Sequence, residues 1–325
     1  MDALRFELAK EFEECLLKSG YKTNLTSDWS AIPTVTPTAK PDVSPLATEV
    51  SGTSKFVEFR PQLSNGKDLQ SASFKEALES LEFTVIKSGD IIDIEKKYWQ
   101  EIGDIDKKGH DEQSGIVKRI EELFDSVREI IDSAFEKGVK RIKVVTDHGW
   151  LLLPGGLPKT QLHEGLTETR WGRCTLIKEG VKSELLQLPW RWNPSVFIAY
   201  AQGISFFKAN EEYAHGGISV QECLLPALII ENTIESGLAP KILNAKWVGL
   251  KCAVETENSG KDYTIDIRTK FNDETTTIVI SRNKAVIEDK GSIMVSDDAE
   301  SQSAAIVLLD EKGRIRDKKV TTVGE

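Results

Sequence analysis

The chain has 325 residues, 39% of them hydrophobic and 29% charged, with a formal net charge of −10. That length can bury a sizeable core and allows more than one domain. The acidic balance excludes broad, nonspecific nucleic-acid binding through a basic face but leaves open a phosphate-bearing substrate held by divalent cations.

No run approaches the ~18 apolar residues that span a bilayer, and the first residues carry no signal-peptide pattern, so the sequence predicts a cytoplasmic chain with no membrane partner. The cysteines (Cys15, Cys174, Cys223, Cys252) are scattered, without CxxC spacing, and read as reduced thiols rather than a disulfide framework or a zinc knuckle.

In chain order, Leu4, Leu8, Phe12, Cys15 and Leu16 recur at helical spacing from Ala3 to about Ser19, with Asp2 at the N-cap position and Gly20 at the stop. Residues 28–54, rich in Pro, Thr, Ser and Ala, read as loop. A short helix is expected over 72–82 and a strand over Phe83 to Lys87. The clearest helix runs from about Gly115 to Lys137, with Ile116, Ile120, Leu123, Phe124, Val127, Ile130, Ile131 and Ala134 on its apolar face and Gly138 closing it. Lys140 to Thr146 follows as a strand, and helix, short turn, strand is the grammar of an α/β domain with a parallel sheet. Further strands are expected at Val196 to Tyr200 and Ala227 to Glu231. Beyond about Asn232 no helical period remains. Tyr263 to Phe271 alternates, with Ile265, Ile267 and Phe271 on one side and Asp266, Arg268 and Lys270 on the other. Ile278 to Ile280, Ser292 to Val295 and Ala304 to Leu309 read as short strands, and Asp310 to Gly313 as a hairpin turn. The pattern predicts an α/β domain over 1–232 and a small all-β sandwich over 233–325.

The chain has four histidines. Asp147-His148-Gly149 directly follows a strand, where ligands gather in α/β sheets and where an Asp and a His could reach one cation; the plainer alternative is a polar turn with a capping Asp. Asp106 and His110, four residues apart, suit a turn aiming both at one zinc or manganese ion, or else a solvated acidic loop. His215 precedes Gly216-Gly217, a pair that implies close backbone approach, or an incidental His in a loop leading into a helix. Pro33-Thr34-Val35-Thr36-Pro37 is a rigid, hydroxyl-bearing segment: a nucleophile loop needing metal or base activation, or a polyproline linker. His163 has no comparable partner and reads as a surface or loop histidine.

Taken in order, Asp2-Ala-Leu-Arg, Pro-Thr-Val-Thr-Pro at 33–37, Asp106-x-x-Gly-His110, Thr146-Asp-His-Gly and His215-Gly-Gly resemble the alkaline phosphatase superfamily and its nucleotide pyrophosphatase/phosphodiesterase branch. The wording of Asp-Ala-Leu-Arg and of Tyr213-Ala-His-Gly-Gly-Ile-Ser-Val-Gln-Glu222 is similar to the PglZ family of the BREX bacteriophage-exclusion systems. That resemblance covers residues 1 to about 232 and implies an alkaline phosphatase-like α/β/α core. It also implies that the chain is a C-terminal portion of a longer protein, whose first ligand would otherwise follow a buried strand. It assigns one divalent cation to Asp2, Asp147 and His148, a second to Asp106, His110 and His215, zinc or else manganese at both, and the nucleophile to Thr36 rather than Thr34. The implied activity is hydrolysis of a phosphodiester, a nucleotide or nucleic acid among the candidates. A phosphomonoesterase remains open, as does a non-catalytic docking subunit for other BREX proteins, including a DNA methyltransferase. Arg5 is a candidate phosphate contact or a surface ion pair, and Trp171, Trp190 and Trp192 are candidates for a cap, an interface or the core.

Overall fold

A computed structural model describes residues 1–54, 58–162, 167–178, 181–208, 211–232, 240–259, 263–280, 284–286, 289–311 and 313–325; His163 lies outside them. The fold is a mixed α/β arrangement of small sheets and few helices. Among the described residues no helix is long and apolar enough to cross a membrane, and none of the four cysteines is in a disulfide.

Helix α1 spans Phe6–Lys18 and buries Phe12 and Leu16. It ends where Gly20, at φ +92°, takes the left-handed turn that a Cβ would resist. Asp2, expected as its N-cap, lies outside the helix.

Cα proximity divides the chain into two compact units, Met1–Glu11 with Asn24–Ile229, and Phe12–Thr23 with Ile230–Glu325. A three-stranded sheet has the order Lys22–Trp29, Leu224–Glu231, Arg141–Val145. The first of these strands carries only Leu25 and Trp29 among polar residues, which is why no apolar alternation announced it. Helix α2 (Thr36–Val43) replaces part of the loop expected over 28–54. Pro37 falls in its first turn, where the missing N–H costs nothing and the fixed φ helps. The buried indoles of Trp190 and Trp192 both hold this helix, donating to Thr38 Oγ1 and to the Thr38 carbonyl, each at 3.0 Å.

Helix α3 (Ser71–Ser80) precedes the Phe83–Ile86 strand, which pairs in parallel with Lys97–Gln100. Helix α4 (Ile105–Glu112) corrects the turn expected around Asp106 and His110. Only Ile105 and Gly109 are buried on it, and Gly109 is required because a Cβ there would sit 2.3 Å from the Tyr213 ring.

Helix α5 (Ile120–Glu136) follows a 3₁₀ segment, Gln113–Arg119, so the expected helix begins five residues later than Gly115 in α form. Its buried Ile120, Leu123, Phe124, Val127, Ile131 and Phe135 contribute about 1.5–3 kcal/mol each, and packing rather than propensity holds it. Gly138 (φ +94°) turns the chain into the Arg141–Val145 strand, whose carboxyl end delivers Asp147 and His148. A four-residue helix, α6 (Val220–Cys223), leads into the Leu224–Glu231 strand.

In the second unit, one antiparallel sheet has the order Lys241–Val248, Lys251–Glu257, Lys290–Met294. The other has the order Lys284–Ala285, Thr264–Arg268, Ser303–Leu309, Ile315–Thr322. Ile242, Trp247, Val254, Ile265, Ile267, Ile293, Ile306 and Leu308 from both sheets share one buried cluster. On the side opposite Ile265 and Ile267, Arg268 Nε donates to Asp266 Oδ2 at 2.7 Å, Thr277 Oγ1 donates to Asp266 Oδ1 at 2.6 Å, and both charged residues are buried. One expectation fails here. Ile278 to Ile280 contributes a single bridge, Val279 to Val295, rather than a strand.

Candidate metal centre

Residues 1–4 run along the end of the Arg141–Val145 strand. The Met1 ammonium donates to the Val145 carbonyl at 2.7 Å, the Leu4 N–H to Thr146 Oγ1 at 2.9 Å and the Ala3 N–H to Asp147 Oδ1 at 3.4 Å. Trp150 Nε1 donates to the Ala3 carbonyl at 2.9 Å. These bonds set Asp2 over the strand end. Nε2 of the fully buried His148 lies 3.8 Å from Asp2 Oδ1 and 3.8 Å from Asp147 Oδ2. The other Asp147 oxygen also accepts the His148 backbone N–H at 3.1 Å, which leaves Oδ2 facing the histidine.

The second group forms from α4 and the loop after Tyr213–Ala214. One helical turn separates Asp106 from His110, so both project from one face. Asp106 Oδ1 lies 3.6 Å from His110 Nε2 and 3.4 Å from His215 Nε2, and the two histidine nitrogens are 3.2 Å apart. The Tyr213 hydroxyl donates to Asp106 Oδ1 at 3.0 Å and steadies it. The His148 and His215 rings stack at 4.0 Å and 4°, joining the two groups; His148 also lies within ligand distance of the Asp106 and His215 atoms.

The tautomers follow from the partners. His148 Nδ1 faces the Gly149 carbonyl and His215 Nδ1 the Thr34 carbonyl, each at 3.0 Å. A carbonyl only accepts, so each Nδ1 carries the proton and each Nε2 turns a lone pair inward. That is the orientation in which imidazole binds a metal, with the outer nitrogen fixed by its hydrogen bond.

Thr34 and Thr36 have different tasks. The Thr34 hydroxyl is fully buried; it donates to the Gly217 carbonyl at 2.8 Å and accepts the Gly216 N–H at 3.0 Å. Thr36, the first residue of α2, turns its hydroxyl to His148 Nε2 at 3.3 Å. Arg5 pairs with Glu7 and lies 4.8 Å from the Trp150 ring, the ion-pair alternative of the two expected for it.

Two supporting residues escaped the sequence reading. Arg173 and Glu222, both fully buried, form a two-pronged pair at 3.0 and 2.9 Å. Glu222 also accepts the Gly217 N–H at 2.8 Å and the Ser219 N–H at 3.1 Å, so the pair underpins the loop carrying His215. Ser219 and Glu222 form a capping box at the start of α6. The Ser-x-x-Glu spacing could have disclosed Glu222; nothing local discloses Arg173.

Burial, reinforced by the Asp147 charge, pushes Asp2 up to about 7. Burial also holds His215 down, at about 4, with the neighbouring His148 adding to the effect. Burial disfavours charge on His148, but the Asp147, Asp106 and Asp2 carboxylates outweigh it and raise its pKa. For Asp106 burial acts upward, and the His215, His148 and His110 imidazoles with the Tyr213 hydroxyl outweigh it and bring the carboxyl below its usual range. A raised carboxyl pKa in the fold means that the stability contributed by the protonated form is complete below ~4, the free carboxyl value. It is lost as pH rises through about 7. The Asp2 contribution alone therefore falls across that window, and His215, whose lowered pKa adds stability as pH rises from about 4 towards its free value, opposes it. Zinc, which must displace the Asp2 proton, is expected to bind more tightly at pH 8 than at pH 6 with protons released. Calorimetry in buffers of different ionisation enthalpy measures the release; pH-independent affinity would contradict the assignment of Asp2.

Comparison with known proteins leaves the family open. No family model matches the chain, and no curated protein matches it. Among solved structures, a Ruminococcus gnavus beta-glucuronidase in complex with uronic isofagomine aligns with 37% of this chain at 12% identity and a TM-score of 0.16. The aligned part spans 28% of that enzyme, and a likeness of this size carries no conclusion about fold or chemistry.

Proposed function

We propose that this chain is a metal-dependent phosphoester hydrolase of the PglZ type, with an alkaline phosphatase-like core followed by a β-sandwich, acting in BREX phage defence. The observation that carries the reading is the convergence of Asp2, Asp147 and His148 with Asp106, His110 and His215, with the Thr36 hydroxyl against His148. The donor set fits two divalent cations. Asp2 Oδ1 is buried without a hydrogen-bond partner, and the facing nitrogens of His110 and His215 can share at most one proton. Mixed carboxylate and imidazole donors suit zinc or manganese.

Bound cations would supply charge for the phosphate oxygens and lower the pKa of the Thr36 hydroxyl. Asp2, Asp147 and His148 would hold one cation, and Asp106, His110 and His215 the other. Thr36 attacks phosphorus: the Thr Oγ–P bond forms, the bond to the leaving alcohol breaks, and water then cleaves the phosphothreonine. The N-terminus of α2, at which Thr36 stands, favours the anionic phosphate. Of the three tryptophans that would support a purely docking role, Trp190 and Trp192 are buried against α2, and Trp171 stands edge-on to the His215 ring at 6.4 Å. Other BREX proteins, a DNA methyltransferase among them, are the partners this reading implies.

The test measures zinc or manganese content and hydrolysis of bis(p-nitrophenyl) phosphate by the full chain. Asp147→Asn is expected to lose one metal equivalent together with turnover. A protein that takes up neither metal, or an Asp147→Asn variant that keeps full turnover, would overturn the proposal.

A further inference from the structure

Helix α4 carries Asp106 and His110 yet buries only Ile105 and Gly109, so apolar packing alone holds it weakly. Polar contacts must therefore fix where its face points. In its first turn the Tyr213 hydroxyl holds Asp106. Just past its last turn stands Gln113, with φ +53° and ψ −125°. That combination lies outside the small left-handed region open to L-residues and is one that glycine favours. A glutamine in such a conformation persists only where its surroundings fix it.

Those surroundings meet the side-chain amide. Its Oε1 accepts the Glu212 N–H at 2.8 Å and the Tyr213 N–H at 3.0 Å. Its Nε2 donates to the His110 carbonyl at 2.7 Å and to Glu211 Oε2 at 3.2 Å. The partners fix which way the amide lies, since an N–H only donates and a carbonyl only accepts. The His110 carbonyl is among the last of α4, which have no helical partner. The Gln113 N–H takes the neighbouring Gly109 carbonyl. The next N–H, that of Ser114, goes to Glu212 Oε2 at 3.1 Å, and Glu212 Oε1 accepts the Gly155 N–H at 2.7 Å. Four bonds thus join residues 113–114 to residues 211–213, which lie 98 to 100 positions further along and lead directly to His215.

We propose that Gln113 is a positioning residue for the second cation: its amide ties the end of α4 to the 211–213 segment and so sets His110 against His215. The proposal rests on the reading of Asp106, His110 and His215 as ligands. Gln113 bonds to none of their ligating atoms and acts through the backbones of His110, Glu212 and Tyr213. Without the amide, Asp106 stays bound to Tyr213, whereas the turn that carries His110 is released.

The test turns on Gln113→Gly in the full chain, because glycine suits the backbone and removes only the amide. Zinc alone is the probe. Calorimetry on Asp147→Asn protein reads the group of Asp106, His110 and His215, and on Asp106→Asn protein it reads the group of Asp2, Asp147 and His148. Adding Gln113→Gly is expected to weaken zinc binding by about 10–100-fold in the first background and to leave it unchanged in the second. Gln113→Glu keeps the two accepted bonds and loses the two donated ones, so it should fall between. Hydrogen exchange of metal-free protein needs no ion: the Glu212 and Tyr213 amides should exchange faster in Gln113→Gly, while those of the Arg141–Val145 strand keep their rates. Equal zinc affinity with and without the amide, equal weakening in both backgrounds, or unchanged exchange at Glu212 and Tyr213 overturns the proposal. Protein that binds no zinc in either background overturns the reading of the metal centre; faster exchange at those two amides then leaves the tie between α4 and the 211–213 segment standing.

Discussion

Thr36→Ala is expected to lower kcat for bis(p-nitrophenyl) phosphate by at least ~10³-fold while leaving zinc content unchanged. The hydroxyl is directed at His148 Nε2 at 3.3 Å, and His148 belongs to both candidate ligand clusters. Removing it deletes the attacking atom but no ligand. Thr36→Ser should recover most of the rate, because the same oxygen returns on a smaller side chain. The contrast with Thr34 makes the experiment specific. Thr34→Val leaves the buried Gly217 carbonyl and Gly216 N–H without their partner, so it should cost about 1–3 kcal/mol of stability and depress activity only through the position of His215. Full turnover by Thr36→Ala would return the nucleophile to an open question.

Arg173→Met carries the largest expected effect on stability, about 3–5 kcal/mol, because it strands the fully buried Glu222 charge. Arg173 also donates to the Gly203 carbonyl at 2.8 Å and to the Ser205 carbonyl, so four acceptors lose a donor at once. Removing both charges, as Arg173→Met with Glu222→Leu, should recover part of that loss, since the penalty comes from the isolated charge and not from the missing pair. The recovery would remain partial because Glu222 also caps α6 and receives the Gly217 N–H. Urea midpoints with unchanged slope measure both variants. A single variant within 1 kcal/mol of the parent would show that water reaches Glu222.

What the sequence disclosed depended on how local each signal was. The Arg141–Val145 strand and the Asp147-His148 pair at its end were legible because a strong amphipathic helix and a glycine stop precede them. Helix α4 was not: with only Ile105 and Gly109 buried, it offers no apolar stripe, so Asp106 and His110 read as a turn. Helix α2 was hidden by Pro37 and Pro41, which suggest an extended chain, whereas Trp190 and Trp192, more than 150 positions away, supply the anchorage that makes it helical. The burial of Asp266 and Arg268 was hidden for a related reason. Alternation tells which residues share a face but not whether a later segment, here Thr277, covers that face. The candidate ligand residues were named from the family resemblance, which their order along the chain carries. Their convergence rests on backbone hydrogen bonds that leave no mark in the sequence, such as those pinning residues 1–4.

The two bonds of the Thr34 hydroxyl and the one at its carbonyl join the 33–36 segment to the 215–217 segment at three points. Such a rivet makes the loop of the candidate nucleophile and His215 travel together. Any displacement of either segment must carry both or break all three bonds. Substitutions that loosen the rivet should register first as heterogeneity at His215, visible as a broadened imidazole resonance, before unfolding is detectable.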